Sequence, residues 1–280
     1  MTDTPLPPSK WAQRALAHAV ALTNASQGRG SATRAEAQAA EYVRRQLASL
    51  GMVDIRQQPF RGLRSIWLFF ALAFGFACVG HAAFWLLASP VGWQVSIIIS
   101  LTAFALSAFL LWRKLTFRDY PMRESLPHGP SQNVVAVLPP TGEVHHTVVL
   151  VAHLDSHRAV WLFANDFLIG LSLFIIPIAI YGVFIAPFLY LLTDLTHQAI
   201  FSYIAIPLAL VHFLGWFTGA TADLGRYSSG ANDNASAVGT VLALAERLQK
   251  EPLAHTELWL AFTGCEESGC DGMRTFLAEY

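Results

Sequence analysis

The alternation of apolar and charged stretches divides this chain into five parts. No Asp, Glu, Lys or Arg occurs between Arg64 and Arg113, between Asp166 and Asp194, or between Asp194 and Asp223. A helix needs about 20 mainly apolar residues to cross a bilayer. The first gap therefore predicts two spans, near 66–88 and 92–112, broken by "SPVG", and the other gaps predict one span each, near 168–192 and 199–222. Gly75, Gly80, Pro177, Pro187 and Pro207 are compatible with this reading, because neighbouring helices can satisfy the backbone groups that such residues free. The expected organisation has transmembrane hairpins at 66–112 and 168–222. Residues 1–65, 113–167 and 223–280 form one domain that these hairpins interrupt.

Shorter periods mark the polar parts. Residues 33–50, "TRAEAQAAEYVRRQLASL", place Tyr42, Val43, Leu47 and Leu50 at helical spacing, with Gly51 at the C-cap position. "MVDIRQQPF" reads as a strand. "NVVAVLPPTG" and "TVVLVAH", rich in β-branched residues and separated by turn chemistry, read as neighbouring strands. "NASAVGTVLALAERLQK" is an amphipathic helix and "TELWLAFTG" a buried strand. The expected fold class is α/β, a mixed sheet covered by helices and interrupted by the two hairpins.

Composition sharpens this picture. With 54% hydrophobic and 13% charged residues, the chain is too apolar for an ordinary soluble protein, and the lipid bilayer is an expected partner. A net charge of −1 gives no basis for nucleic-acid binding. All 18 Lys and Arg lie outside the hairpins, and the tips "SPVG" and "TDLTHQ" have none. The positive-inside rule then predicts a multi-pass protein of the plasma (inner) membrane whose three polar segments are cytoplasmic. The N-terminus has no apolar core of signal-peptide type, so no cleaved leader is expected. Three cysteines make no disulfide framework, and Cys265 and Cys270, four apart, read as small residues packed around a turn rather than as a thiolate site.

Candidate chemistry sits where the apolar elements end. "VVLVAHLDSH" ends a strand with His153 and carries Asp155 two residues on, pointing to the same side. "SSGANDNASAV" puts Asp233 at a helix entrance, and "LAFTGCEESGC" puts Glu266 and Glu267 at a strand end. In an open α/β sheet, groups beyond the strand ends line the ligand crevice. One imidazole with several carboxylates suits a hydrolytic zinc site, with one or two ions. Asp155 can orient His153, and the adjacent glutamates can divide between binding metal and accepting a proton from water.

These three stretches, in this order, resemble the M28 family of zinc aminopeptidases, and "GRGSATRAEAQAAEYVRRQLASLGMVDIRQQPF" looks like the helix and strand preceding that family's core. The resemblance implies two zinc ions in a complete site and a peptide substrate. By position it implies His153 on one metal, Asp233 bridging both and Glu267 on the other. Glu266 is then the general base, Asp155 orients His153, and the Asp233–Asn234 bond is cis. The family also supplies a further Asp and His beyond the glutamate pair. Here only "SGCDGMRTFLAEY" follows, and Asp271 is too near to be that acid. The chain is therefore expected to be the front part of a longer enzyme, with His157, His145 and His146 as substitute ligands to consider. The alternative function is a non-catalytic membrane binding protein with a peptidase-like fold and an incomplete metal site. A small transporter is a third reading: His81, His212 and Asp194 can be read as an ion path, or as groups facing neighbouring helices and the interface.

Overall fold

A computed structural model describes residues 9–26 and 28–280. In chain order its main elements are α1 (Lys10–Asn24), α2 (Arg34–Ser49), β1 (Ile55–Leu63), α3 (Trp67–Leu86), α4 (Trp93–Leu115), β2 (His128–Leu138), β3 (His146–His153), α5 (Asp166–Thr196), α6 (Ile206–Ala222), α7 (Ser236–Lys250), β4 (Thr256–Thr263) and α8 (Asp271–Glu279). They fall into two compact units. One comprises Met1–Ser65, Pro127–Arg158 and Arg226–Tyr280, and the other Ile66–Leu126 and Ala159–Gly225. The leader expectation concerns a stretch whose first eight residues lie outside the described ones.

In the first unit, α2 starts where Thr33 Oγ1 accepts from the Glu36 amide and Glu36 Oε2 accepts from the Ala32 amide, a reciprocal N-terminal cap. It stops at Gly51, whose φ of +82° suits the left-handed C-cap position. The buried residues Ala39, Ala40, Val43 and Leu47 form one stripe, which faces the sheet. That stripe packs with Val134, Ala136, Leu258, Leu260 and Phe262 and with Val238 and Leu242 of α7. Val135 and Ala261, whose side chains alternate to the opposite face, pack with Phe276 of α8. Helices thus cover both faces of the sheet.

Strand order corrects one expectation. The sheet runs β1-β2-β4-β3, so β2 and β3 are not neighbours, and β4 lies between them, antiparallel to β2 and parallel to β3. The segment joining β2 to β3 begins with Pro139 and Pro140, which have no amide hydrogen to close a hairpin. It pairs instead with the approach to β4, through Thr141 N to Leu253 O (3.0 Å), Gly142 N to Ala254 O (2.9 Å) and His145 N to His255 O (2.9 Å). Strand β4, with Leu260, Ala261 and Phe262 fully buried, takes an interior position, and β3 keeps the edge.

The second unit contains helices Trp67–Leu86, Trp93–Leu115, Asp166–Thr196 and Ile200–Ala222, which are long and apolar enough to cross a membrane by length and composition. The last is interrupted at Ala205, ahead of α6. Small residues set the approach of the helices: a Cβ on Gly219 would lie 2.6 Å from the Ala71 nitrogen and 2.8 Å from the Trp67 carbonyl. The two histidines inside this unit, His81 and His212, are paired. His212 Nε2 donates to the Ala179 carbonyl (3.0 Å), which leaves Nδ1 to accept from His81 Nε2 (2.9 Å). The lone pair of His81 Nδ1 then accepts from the Tyr190 hydroxyl (2.6 Å). Carbonyl oxygen is acceptor-only, so this end fixes both tautomers and leaves the relay fully satisfied with neutral rings. Asp194, at the end of α5, accepts from the Trp93 indole.

Tyr190→Phe removes the donor to His81 and leaves a buried acceptor, a loss of about 1–3 kcal/mol. A lowered thermal midpoint of the detergent-solubilised chain is the expected result. An unchanged midpoint would show that the stacking of Tyr190 on Phe84, with ring centres 3.9 Å apart, suffices alone.

Candidate metal centre

The parallel pairing of β3 and β4 ends with His153 opposite Thr263, and Leu154 N still donates to Thr263 O at 2.8 Å. Both strands therefore deliver their following residues to the same edge. After Thr263 the chain turns through Gly264 and Cys265, the latter at φ +53°, into the helical turn Glu266–Gly269. Buried Asp155 holds that turn: its Oδ1 accepts from the Glu266 amide and its Oδ2 from the Glu267 amide, both at 3.1 Å, while Ser31 Oγ donates to Oδ2 at 2.6 Å. Asp155 also faces His153. Its carbonyl lies 3.2 Å and its Oδ1 3.4 Å from His153 Nδ1. Both are acceptors, so Nδ1 carries a hydrogen and Nε2 points the other way.

Nε2 points to Asp233 Oδ1, 2.9 Å away, with Glu266 Oε2 at 3.7 Å. Asp233 lies in the turn Ala231–Ala235 before α7, and its bond to Asn234 is cis. Arg29 sets the position of this turn. The residue is 2% exposed, and its guanidinium donates to Leu154 O (2.9 Å) on one side and to Ser229 O (2.8 Å) and Gly230 O (3.0 Å) on the other. The loop after β3 and the loop before α7 are thus joined through one side chain. Gly230 has φ +60°, and a Cβ there would lie 2.6 Å from Arg29 Nη2.

Ligand atoms of His153, Asp233 and Glu267 all lie within 4.8 Å of one another. The Glu267 side chain is 13% exposed, and its Oε1 is buried with no hydrogen-bond partner among the described residues. A buried carboxylate oxygen left unpaired is costly, and a cation at this point would satisfy it. One imidazole nitrogen with carboxylate oxygens is a donor set that zinc accepts. On these observations the residues fit the metal.

Electrostatics agrees. Burial pushes the Glu267 carboxyl up, with Asp155 and Asp233 adding to it, to about 8. Burial by itself would lower His153, but the hydrogen bond and charge of Asp155, with Glu266 and Asp233, outweigh it and raise the ring to about 9. Glu36 is raised to about 7, by burial first and then by the charge of Asp155. Its oxygens accept from Cys265 N (2.7 Å), Ala32 N (3.0 Å) and Ser131 Oγ (2.8 Å), which ties the start of α2 to the glutamate turn.

His153, Asp155, Asp233, Glu266 and Glu267 are therefore all gathered at one edge of the first unit. The other sequence candidates separate. His145 stacks on His255, ring centres 4.4 Å apart, and His146 begins β3, about 23 Å from His153 at the strand's rise of about 3.3 Å per residue. His157 remains close, with Nε2 3.9 Å from Glu267 Oε2. Asp271 accepts from the Leu63 amide at 2.8 Å and is structural. Cys265 is buried, and Cys270 Sγ lies 3.6 Å from Glu266 Oε1. Arg29, Ser31 and Glu36 were not picked out by sequence reasoning. Their only signal is a polar run, "GRGSATRAE", ahead of a helix.

The fold and this centre together define an α/β unit that carries a candidate metal centre at one edge of its sheet. Residues 212–280 match the model of Peptidase family M28, so this stretch, which holds Asp233, Glu266 and Glu267, is M28-type sequence. No curated protein matches the chain. Similar solved structures include a zinc aminopeptidase from Bacillus subtilis (14% identity, TM-score 0.47, covering 99% of this chain and 66% of that one). Others are a leucine aminopeptidase precursor from Bacteroides thetaiotaomicron (11%, 0.44, 93% and 49%) and a glutaminyl cyclase from Tannerella forsythia (14%, 0.43, 94% and 49%). The chain thus spans about half the length of the latter two.

Zinc must displace the proton on His153 and, at neutral pH, the one on Glu267. Apparent zinc affinity should therefore rise with pH from 6 to about 9, with proton release on binding. Competition against a chelating dye across this range checks it, and an affinity independent of pH would contradict the protonation states given.

Proposed function

We propose that this chain is the metal-binding part of a membrane-anchored, zinc-dependent exopeptidase, an aminopeptidase acting on peptides with a free N-terminus. The observation that carries the reading is the convergence of His153, Asp233 and Glu267 within 4.8 Å, beside a glutamate that is 41% exposed and so open to water and substrate. The M28 match over 212–280 supports it. In this reading His153, Asp233 and Glu267 would hold the metal. When bound, zinc supplies Lewis acidity toward a peptide carbonyl and acidifies water. Glu266 accepts the proton of the attacking water and returns it to the departing amine. Asp155 keeps Nδ1 of His153 protonated, so that Nε2 is the ligand nitrogen. The four apolar helices anchor the chain in the bilayer. Because Lys and Arg are confined to the other segments, the centre faces the cytoplasm.

Glu266→Gln keeps the shape of the side chain and removes its basicity. It should retain zinc and lower turnover of aminoacyl-anilides about 100-fold or more, the usual scale of general-base loss. Undiminished turnover would sink the assignment of the base, and cyclisation of N-terminal glutamine in place of hydrolysis would redirect the activity. Membrane anchoring is checked separately, by retention of the chain in the pellet after alkaline carbonate extraction; release into the supernatant would refute it.

A further inference from the structure

His157 lies on the rim of this centre, outside the ligand set drawn from the motifs. The loop that carries it is fixed at several points. Ser156 N donates to Arg29 O (3.0 Å), Ser156 Oγ donates to Ser228 O (3.0 Å), and the carbonyl of His157 accepts from Ser228 N (2.8 Å). The next residue, Arg158, forms a β-bridge with Tyr227 and lays its guanidinium 3.7 Å above that ring. The imidazole is oriented as well. Its Nδ1 donates to the Arg158 carbonyl at 2.8 Å, and since a carbonyl only accepts, the neutral ring carries its lone pair on Nε2. That nitrogen is the one facing Glu267, 3.9 Å from Oε2.

A lone pair facing a carboxylate is repulsive unless a proton or a cation lies between them. Donor atoms sharing a zinc ion at about 2.0–2.2 Å each stand roughly 3–4 Å apart, the separation seen here. A backbone carbonyl on the far nitrogen is also the usual orienting partner of a metal-bound histidine. The other oxygen of the same carboxylate, Glu267 Oε1, is buried and lacks a hydrogen-bond partner among the described residues. His153 shows the same arrangement, Nδ1 toward acceptors and Nε2 toward Asp233.

We propose that His157 is a metal ligand in this chain, donating Nε2 to a zinc-type divalent cation shared with Glu267. The assignment rests on the zinc reading of the centre and adds a second nitrogen donor to it. One residue from each loop then contributes to the cluster, and the short "HLDSH" segment supplies two imidazoles, His153 and His157, with Asp155 between them.

Zinc binding by the detergent-solubilised full chain tests this through equilibrium dialysis and competition with a chelating dye. Cobalt(II) is loaded in parallel, so that its visible spectrum reports the donors. His157→Ala should weaken the affinity about 100-fold, at or beyond the scale of outer-sphere losses, and should change the cobalt spectrum. His145→Ala, on a ring stacked against His255, should alter neither. His157→Gln, which retains polarity and bulk, guards against loss through misfolding and should also weaken binding, with circular dichroism unchanged. Zinc that survives both His157 substitutions but is lost in His153→Ala overturns the His157 assignment and leaves the proposed function standing. Absence of zinc binding in the unsubstituted chain overturns both.

Discussion

One buried carboxylate, Asp155, organises the centre. It is fully buried, and a charge in that position is tolerated only when its oxygens are saturated with donors. The donors come from three separate parts of the chain: the amides of Glu266 and Glu267, the hydroxyl of Ser31, and the ring of His153. Hydrogen bonds to a charged group contribute about 1.5–3 kcal/mol each, so the ends of β3 and β4 and the loop before α2 are held to one another at a single point. The same saturation leaves Asp155 little capacity to bind metal. It acts through His153 and through the position of the glutamates.

Around that point the local charge is unbalanced. Asp155, Asp233, Glu266 and Glu267 surround His153, and Glu36 lies behind the glutamate turn. Arg29 supplies one buried cation, but its three donor nitrogens are spent on carbonyls. Burial and the neighbouring carboxylates raise Glu267, and those carboxylates raise His153 against its burial, so both groups hold protons more tightly than usual beside this negative charge. A divalent cation would relieve that negative charge more completely, and it would also pair the Glu267 oxygen that has no hydrogen-bond partner among the described residues. The case for metal is therefore electrostatic as well as geometric.

Much of this was legible in the sequence because apolar runs announce their own ends. Strand β4 ends where "LWLAF" gives way to "TGCEE", and β3 ends where "VVLVA" meets "HLD", so motif residues could be assigned to strand ends directly. Helix α2 and its Gly51 cap were readable for the same reason. What failed was pairing across the sheet: similar β-branched runs with a turn between them read as neighbours, although β4, from much later in the chain, separates β2 from β3. Arg29 was illegible because its partners are carbonyls, which every residue carries. Choosing His157 over His145 and His146 required the register of β3, which places the latter two at the opposite end of the strand.

The two apolar insertions raise a separate physical question, since the chain that builds the site is interrupted twice. Each interruption leaves from a closed base. The first begins past the end of β1 and returns just before β2, where Leu63 pairs with His128 and Arg64 N donates to Pro127 O at 3.0 Å. The second leaves after Arg158 and returns at Arg226, between residues held by the Arg158–Tyr227 bridge and the Ser228 to His157 hydrogen bond. The entropy of closing a loop grows only logarithmically with its length. With its ends fixed in this way, a long apolar insertion costs the α/β unit little more than a short loop would. The base of the second insertion also carries His157, so the contacts that confine the insertion are the ones that aim this imidazole at Glu267.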